Sequence, residues 1–201
     1  ENFIENTMLS LLSQTFSDFE VLVVNDCSTD ASEEIVKRFN DRRIQLVQHP
    51  INKGLSASRN TGVKSARSNY IAFLDADDLW KPSFLEKIDF LINHYPEASL
   101  FATKYEVLHK ENRVVTHDFK LKNFKEHGVI SNFFESNLNQ SIYYPSCLCV
   151  EKSVFEDVGY YNEDVNYSED VDFNLRAHSK YKLAYWDEAA VTYLLDSENQ
   201  I

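Results

Sequence analysis

A short apolar run that ends in a cluster of aspartates, residues 69–80, constrains the fold more than any other stretch of this chain. It reads Asn-Tyr-Ile-Ala-Phe-Leu-Asp-Ala-Asp-Asp-Leu-Trp. Residues 70–74 are rich in β-formers and predict a strand that is buried on both faces. The run stops at Asp75, Asp77 and Asp78, whose carboxylates repel one another unless a cation or hydrogen-bond donors lie between them. In an open α/β sheet, ligands bind at the carboxyl ends of such strands.

Two interpretations of these aspartates stay open at this point. An Asp-x-Asp pair at a strand end supplies oxygen ligands for Mg²⁺ or Mn²⁺, which proteins often hold with a few carboxylates and substrate phosphates. An aspartate after a strand also often caps the next helix, and Asp78 precedes Pro82, a residue typical of a first helical turn. The spacing alone does not separate a metal site from a helix cap.

Composition excludes several classes of protein. The 201 residues suit one domain, and 43% of them are hydrophobic, which is enough for a sizeable core. A formal net charge of -12 argues against a general nucleic-acid binder, which needs a basic surface. The 4 glycines cannot form either of the two main glycine-rich phosphate-binding motifs. A chain of this kind that binds a diphosphate must therefore use a metal or local cations.

The cysteines indicate reduced thiols. Cys27, Cys147 and Cys149 form no Cys-x-x-Cys and have no zinc-finger spacing to histidine. We find no signal peptide and no apolar run of transmembrane length. We therefore expect a cytoplasmic protein, and leave open a peripheral association with the inner face of a membrane.

Apolar periodicity predicts strands and helices in alternation through the first half of the chain. The predicted strands are residues 19–24, 44–49 and 70–74, and the predicted helices are residues 5–16, 31–40, 55–66 and 83–94. This alternation predicts an α/β fold of three layers, α/β/α, around a mostly parallel twisted sheet. Such a domain normally starts with a strand, whereas this chain opens with a helix, so we expect the first strand to lie upstream of Glu1.

The pattern in the second half is weaker. Residues 100–109 and 113–116 predict a hairpin, and residues 119–139 predict a polar segment that is helical in part. Further strands are predicted at 147–150, 182–186 and 190–194, and further helices at 152–158 and 168–179.

Four polar clusters fall at predicted strand ends or helix starts. They are Asn25-Asp26…Asp30, Asn52-x-Gly54-x-x-x-x-Arg59-Asn60, Asp75-x-Asp77-Asp78 and Glu169-Asp170. In this order and at these separations, the set resembles the inverting GT-A glycosyltransferases of family 2, over nearly the whole chain. The resemblance implies a single GT-A domain, residues 1–201. It further implies that residues 1–116 bind the nucleotide-sugar and residues 117–201 bind the acceptor.

The resemblance gives each matched residue on the donor side a role. Asp26 matches the aspartate that contacts the nucleotide base, where a carboxylate can accept from the N3–H of uracil. Asp30 either reaches the same nucleotide or caps its own helix. Asn52 and Gly54 belong to the nucleotide-sugar site, and Gly54 provides a positive φ or a close backbone approach. Arg59 matches a basic residue near the diphosphate, with a surface ion pair as the alternative.

The same resemblance implies a divalent metal, Mn²⁺ or Mg²⁺. Asp77 should hold it directly, and Asp75 should contact the ribose or the water shell of the metal. Asp196 is a candidate for the metal or diphosphate shell, in a place where many members have a histidine. Cys27 departs from the family, which most often has glycine there, and this puts the geometry of that turn in question.

The Glu169-Asp170 pair matches the family's catalytic acids. Asp170 is our first choice for the general base that takes the proton of the acceptor hydroxyl, and Glu169 is the second. The helix N-terminus would stabilise the anion, while the neighbouring carboxylate would raise one pKa. The alternative is that both acids simply cap a helix.

On the acceptor side we expect Tyr143, Tyr144 and Trp80, each of which is alternatively a core residue. The resemblance implies transfer of a sugar from a nucleotide-sugar, most simply a UDP-sugar, to a saccharide or lipid-linked acceptor with inversion. Such enzymes act in surface polysaccharide or glycoconjugate synthesis. Two alternatives stay open, namely a sugar-nucleotide nucleotidyltransferase and a catalytically degenerate module that binds sugar nucleotides. Oligomeric state is also open, including a homodimer.

Overall fold

The fold is seen in a computed structural model that describes residues 1–109, 113–119, 121, 124–138, 140–165 and 167–195. Its helices are α1 Ile4–Leu12, α2 Ser32–Arg38, α3 Leu55–Ser65, α4 Phe84–His94, α5 Phe133–Ser136, α6 Lys152–Val158 and α7 Glu169–His178. Its strands are β1 Val21–Asn25, β2 Ile44–Gln48, β3 Tyr70–Ala72, β4 Leu79–Trp80, β5 Ala98–His109, β6 Arg113–Thr116, β7 His127–Val129, β8 Leu148–Glu151 and β9 Lys182–Leu194. A 3₁₀ turn, Pro145–Cys147, leads into β8.

The strands form two sheets, and the larger sheet is mixed. Strands β1 and β2 pair in parallel as one small sheet. The seven-stranded sheet has the order β3-β8-β5-β9-β4, with β6 beside β5 and β7 beside β9. Within it only β5 and β9 run parallel, and the other pairings are antiparallel. The predicted α/β class is therefore correct, but the prediction of a mostly parallel sheet was wrong. Local periodicity does not encode that β8 returns from the second half and inserts between β3 and β5.

Most element bounds agree with the sequence prediction to within a few residues, and the hairpin β5–β6 is confirmed. One long strand, β9, replaces two predicted short ones. The register along β5 shifts where Thr103 faces Trp186 and Lys104 faces Ala189, so a bulge takes up Asp187 and Glu188. Those polar residues look like a strand break in the sequence, yet Lys104 Nζ donates to Asp187 at 2.9 Å and the strand continues.

Buried aromatic residues dominate the core between the sheet and its helices. The largest fully buried side chains include Phe84, Phe101, Tyr105, Tyr143, Phe155, Phe173 and Tyr185. Each such ring removed from water contributes roughly 1.5–3 kcal/mol, and edge-to-face or stacked pairs add to this. Phe155 and Phe173, for example, stack at 4.8 Å and fasten α6 to α7. This packing sets the position of α7, whose first residues carry the predicted catalytic acids.

The core places two predicted acceptor residues away from any acceptor. Trp80 is 6% exposed, stacks on Phe84 at 4.2 Å, and donates from Nε1 to the Ser146 carbonyl at 2.7 Å. Tyr143 is 2% exposed, and its hydroxyl lies 2.7 Å from His178 Nε2. The acceptor-side prediction for these two residues is therefore corrected: both are core residues. Aromatic side chains of core and of sugar-binding surfaces cannot be told apart by type alone.

His178 predicts an acid-sensitive core. Burial lowers the pKa of His178 to about 3, below the ordinary histidine value, so the neutral ring accepts from Tyr143. Because the pKa of His178 is lower in the folded state than in the unfolded state, protons favour unfolding. The contribution of the neutral His178 ring to the free energy of unfolding is complete above about pH 6.5 and is lost as pH falls toward the folded pKa. We expect the unfolding free energy to drop by no more than about 1.4 kcal/mol per pH unit in this window. Denaturant titrations at pH 7 and pH 5 should show a shallower drop in His178→Gln, and equal drops would contradict this.

Candidate active site

A cleft of about 360 Å³ opens beside the carboxyl end of β1. Its polar wall includes Asn25, Ser28, Asp30 and Asp77, and its apolar wall includes Val23, Val24, Val36 and Leu46. The cleft thus joins the first and third polar clusters of the sequence, which are separated by about fifty residues of chain. A lining that combines polar and apolar side chains suits a ligand with one flat apolar part and one charged part.

The Asp26 carboxylate is turned toward the loop before α3. Oδ1 accepts from His49 Nδ1 at 2.7 Å and from the Lys53 amide at 2.8 Å, and Oδ2 accepts from the Gly54 amide at 2.7 Å. Burial acts to raise the pKa of Asp26, but the hydrogen bonds from His49 and the two amides outweigh it and hold the pKa below its usual value. Of the four acceptor directions of this carboxylate, these contacts leave one on Oδ2 for a ligand.

Asp30 and Asn52 both make local contacts. Asp30 Oδ1 accepts from the Ser32 amide at 3.0 Å, a turn contact just before α2, and Asp30 also lies on the cleft wall. The cap role considered for Asp30 is wrong, because the N-cap residue of α2 is Ala31 and the helix has no side-chain cap. Asn52 Nδ2 donates to the Asp26 carbonyl at 3.3 Å. Cys27 adopts φ 61°, the left-handed conformation that glycine would provide, so the turn keeps its shape without glycine.

Gly54 has φ 88° and ψ 169° at the start of α3, as the prediction of a positive φ requires. An added Cβ would meet no atom within 4 Å, so the constraint is the backbone conformation. We expect Gly54→Ala to lower the unfolding free energy by about 1–3 kcal/mol, because residues with a side chain rarely adopt this backbone conformation. The matched control is Gly62→Ala inside α3, where the Cβ would meet Val24 at an ordinary 3.8 Å. It should gain roughly 0.5–1 kcal/mol in a denaturant titration, and equal effects would contradict the argument.

Arg59 lies buried between the third and fourth clusters. Its Nη2 donates to Asp75 at 3.0 and 3.2 Å, and its Nη1 donates to Glu169 at 2.7 Å. Arg59 is only 8% exposed, and its guanidinium carbon lies 5.5 Å from the Tyr161 ring centroid. The alternative of a surface ion pair is therefore wrong, and so far as the described residues go the guanidinium is already occupied by carboxylates.

The three aspartates after β3 have different surroundings. Asp75 pairs with Arg59, and its amide donates to Ser146 Oγ at 3.1 Å. Asp78 is 1% exposed and accepts from Ser146 Oγ at 2.5 Å; burial, helped by the charges of Asp75 and Asp77, raises its pKa to about 7. Asp78 is thus a buried residue that ties this segment to the turn before β8, and not the helix cap considered from the sequence. In the part of the chain that the structure describes, Asp77 has no hydrogen bond or ion pair and lies on the cleft wall.

A divalent metal fits one place in this arrangement. Within the described ranges no group of three or more His, Cys, Asp or Glu side chains is arranged to hold a metal. One unpaired carboxylate, Asp77, nevertheless faces the cleft, and Mg²⁺-type sites often use one or two carboxylates together with substrate phosphates and waters. The paired Asp75 suits a contact through water better than a direct bond. The donor set therefore fits a metal that binds with the donor diphosphate.

The two acids at the start of α7 are not equivalent. Glu169 is engaged by Arg59, whereas Asp170 Oδ1 accepts only from the Val171 amide at 2.8 Å among the contacts described. Burial, and then the adjacent Glu169 charge, raises the pKa of Asp170. A partly buried carboxylate with a raised pKa and a free oxygen is suited to accept a proton.

Asp196 lies outside the described residues. Tyr144 is half-buried and stacks on Tyr193 at 5.0 Å, so it keeps an exposed part. Sequence reasoning missed two residues that organise the site, His49 and Ser146. His49 at a strand end beside Asp26 gave a weak signal, whereas nothing in the residues around Ser146 indicates its contacts.

Residues 1–159 match the profile of the family described as Glycosyl transferase family 2. The chain belongs to this glycosyltransferase family. The predicted resemblance is thereby confirmed, and with it the GT-A fold. TarS of S. aureus, solved in complex with UDP-GlcNAc, superposes with a TM-score of 0.80 over 99% of this chain and 56% of that one, at 24% identity.

Sequence relatives point to the same family. The glycosyltransferase EpsJ of Bacillus subtilis is 33% identical over 190 residues, which cover 88% of this chain and 52% of EpsJ. WfgD of Escherichia coli is 35% identical over 115 residues, 57% of this chain and 45% of WfgD. WfgD is named as a UDP-Glc:alpha-D-GlcNAc-diphosphoundecaprenol beta-1,3-glucosyltransferase. The chain thus spans about half the length of these relatives.

None of the helices in the described part of the chain has the length and apolarity that a membrane span needs. The cysteines there are free thiols, with Cys27 exposed and Cys147 and Cys149 buried.

Proposed function

We propose that this chain transfers a sugar from a UDP-sugar to an acceptor hydroxyl, with inversion at the anomeric carbon, in the synthesis of a surface polysaccharide or glycoconjugate. The observation that carries the proposal is that the buried Arg59 guanidinium joins Asp75, at the donor end of the site, to Glu169 of the Glu169-Asp170 pair. This link would hold the donor end of the site and a candidate base together, and it supports the proposal for a chain of family 2.

UDP is proposed as the nucleotide for two reasons. The remaining acceptor direction on Asp26 Oδ2 can take the N3–H of uracil, and N3 of cytosine has no hydrogen to offer. TarS was solved with UDP-GlcNAc, and the name of WfgD includes UDP-Glc. The cleft volume, about 360 Å³, lies in the range of small-ligand sites.

The residues on the donor side would bind and orient the diphosphate. Asp77 would hold Mn²⁺ or Mg²⁺ with Asp75 in its water shell, and a metal there neutralises charge on the departing diphosphate. Asp30 and Asn25 on the cleft wall would limit where the nucleoside can lie. Residues 1–116 would in this way form the donor half of the domain.

Asp170 would act as the general base. It would take the proton of the acceptor hydroxyl while that oxygen attacks the anomeric carbon from the face opposite the diphosphate. The bond to the diphosphate breaks as the new glycosidic bond forms, and the proton ends on the Asp170 carboxyl. Residues 117–201, with Tyr144 at the surface, would bind a saccharide or lipid-linked acceptor, for which the name of WfgD is the precedent.

Calorimetric binding of UDP, GDP and dTDP to the chain, with Mn²⁺ and then with EDTA, tests the donor assignment. We expect metal-dependent binding of UDP, followed by UDP release from UDP-glucose or UDP-N-acetylglucosamine with saccharide glycosides or water as acceptor. Diphosphate release from UTP and a sugar 1-phosphate would favour a nucleotidyltransferase instead. UDP binding without turnover on any donor would favour a degenerate binding module.

A further inference from the structure

One guanidinium connects three segments that are distant in the sequence. Arg59 on α3 contacts Asp75, just after β3, and Glu169, the first residue of α7, at 3.0 and 2.7 Å. The side chain of Arg59 is 7% exposed and that of Glu169 is 12% exposed, so the pair lies largely out of water. The contact between Arg59 and Glu169 spans 110 positions of the chain.

Burial makes the pair of Arg59 and Glu169 sensitive to the loss of either member, whereas the Asp75 side chain is 34% exposed. A buried charge is costly unless it is paired, and removing one partner leaves the other uncompensated. The planar guanidinium offers donors in a fixed fork, so both carboxylates must keep their directions to remain paired. In the described part of the chain, Arg59 Nε is buried without a hydrogen-bond partner, and the guanidinium is therefore held by its two carboxylates.

A second set of contacts fixes the segment that leads to α7. Asn60, the next residue on α3, donates from Nδ2 to the Tyr161 carbonyl at 2.9 Å and accepts from the Tyr161 amide at 3.0 Å. The same Nδ2 lies 2.8 Å from Glu163 Oε1. The approach to α7 is thus held against α3 independently of Arg59, and Arg59 is left to orient the first residues of α7.

We propose that Arg59 is a positioning residue that holds Asp170 in register with the donor end of the site, by pairing with Asp75 and Glu169 at once. This inference rests on the function proposed above. It gives Glu169 the task of orienting its neighbour, because its carboxylate is already taken by Arg59. It also replaces the direct diphosphate contact that the sequence resemblance implied for Arg59.

The test compares Arg59→Met, Glu169→Gln and the double variant in UDP calorimetry and in UDP release from the UDP-sugar turned over by the unaltered chain. We expect kcat to fall about 10–100-fold in each single variant, with the UDP Kd and the donor KM changed less than about threefold. Since both changes break the same link, the double variant should lose little more than the worse single one. Arg59→Lys keeps the charge but cannot hold both carboxylates, so its kcat should lie between that of the unaltered chain and that of Arg59→Met.

Controls separate this role from the alternatives. Arg67→Met removes an exposed arginine that pairs only with Glu20 among the described contacts, and should behave as the unaltered chain. Glu169→Gln preserves the shape of the side chain, so it remains informative if Arg59→Met does not fold.

Weakened UDP binding with normal kcat in Arg59→Met would overturn the inference in favour of a diphosphate contact. A Glu169→Gln loss as deep as that of Asp170→Asn would overturn it by making Glu169 the base. If the unaltered chain neither binds UDP nor releases it, the proposed function fails and this inference with it.

Discussion

Asp170→Asn is expected to lower turnover by about two to four orders of magnitude while leaving the affinity for UDP unchanged. The substitution keeps the size of the side chain but removes its ability to take a proton, and general base catalysis is typically worth this much. In the proposed site the nucleotide would lie in the cleft lined by Asp77, and Asp170 is not among the residues that line this cleft.

The structure supplies the physical reason for choosing Asp170. The carboxylate lies in the first turn of α7, where the helix dipole favours an anion and helps to keep the group ionised for reaction. Burial and the Glu169 charge act in the opposite sense and raise its pKa, which makes the carboxylate a stronger base. One of its oxygens accepts from the Val171 amide, and this contact orients the carboxylate.

The matched control is Asp172→Asn on the same helix. Asp172 lies two residues after Asp170 and pairs with Arg176. The substitution Asp172→Asn therefore changes the charge of α7 by the same amount as Asp170→Asn but leaves the proposed base in place. Initial rates of UDP release at saturating donor should separate the two variants by at least about a hundredfold. Similar rates for both would mean that net charge near α7 matters and that Asp170 takes no proton.

In the first half of the chain, local sequence patterns were enough to predict most helices and strands. Strands β1 and β2 and helix α3 follow from short apolar runs and their polar ends, and these runs place Asp26, Gly54 and Asp75 at strand ends or helix starts. For Gly54, which the family resemblance picked out, a positive φ was one of two predicted reasons for glycine, and the structure shows φ 88°.

Long-range partners were not available from the sequence. Arg59 meets Glu169 only because α7 packs on α6 and is held near α3, and no local pattern records that contact. The antiparallel place of β8 in the sheet was missed for the same reason. Trp80 and Tyr143 show the corresponding limit for residue type, since an aromatic ring suits both a core and a sugar-binding surface.

Asp77→Asn is expected to abolish the metal-dependent part of UDP binding. Asp77 is the one aspartate of its cluster that the described contacts leave unpaired on the cleft wall, whereas Asp75 is held by Arg59 and Asp78 by Ser146. An amide in place of the carboxylate removes the negative charge that a hard cation requires. Without the cation, diphosphate and protein would both be anionic in a chain whose net charge is already -12.

Calorimetry with Mn²⁺ and with EDTA measures this directly. The unaltered chain should bind UDP at least about tenfold more tightly with the metal than with the chelator, a difference of about 1.4 kcal/mol. Asp77→Asn should bind UDP equally weakly in both conditions, whereas Asp18→Asn, at an exposed position before β1, should retain the full difference. Asp75→Asn offers a finer distinction. If Asp75 contacts the metal through water, the Asp75→Asn variant should keep part of the metal-dependent gain in UDP affinity, because Asp77 still provides the direct bond. A metal effect that survives intact in Asp77→Asn would place the cation elsewhere and remove the reason for pairing Asp77 with the diphosphate.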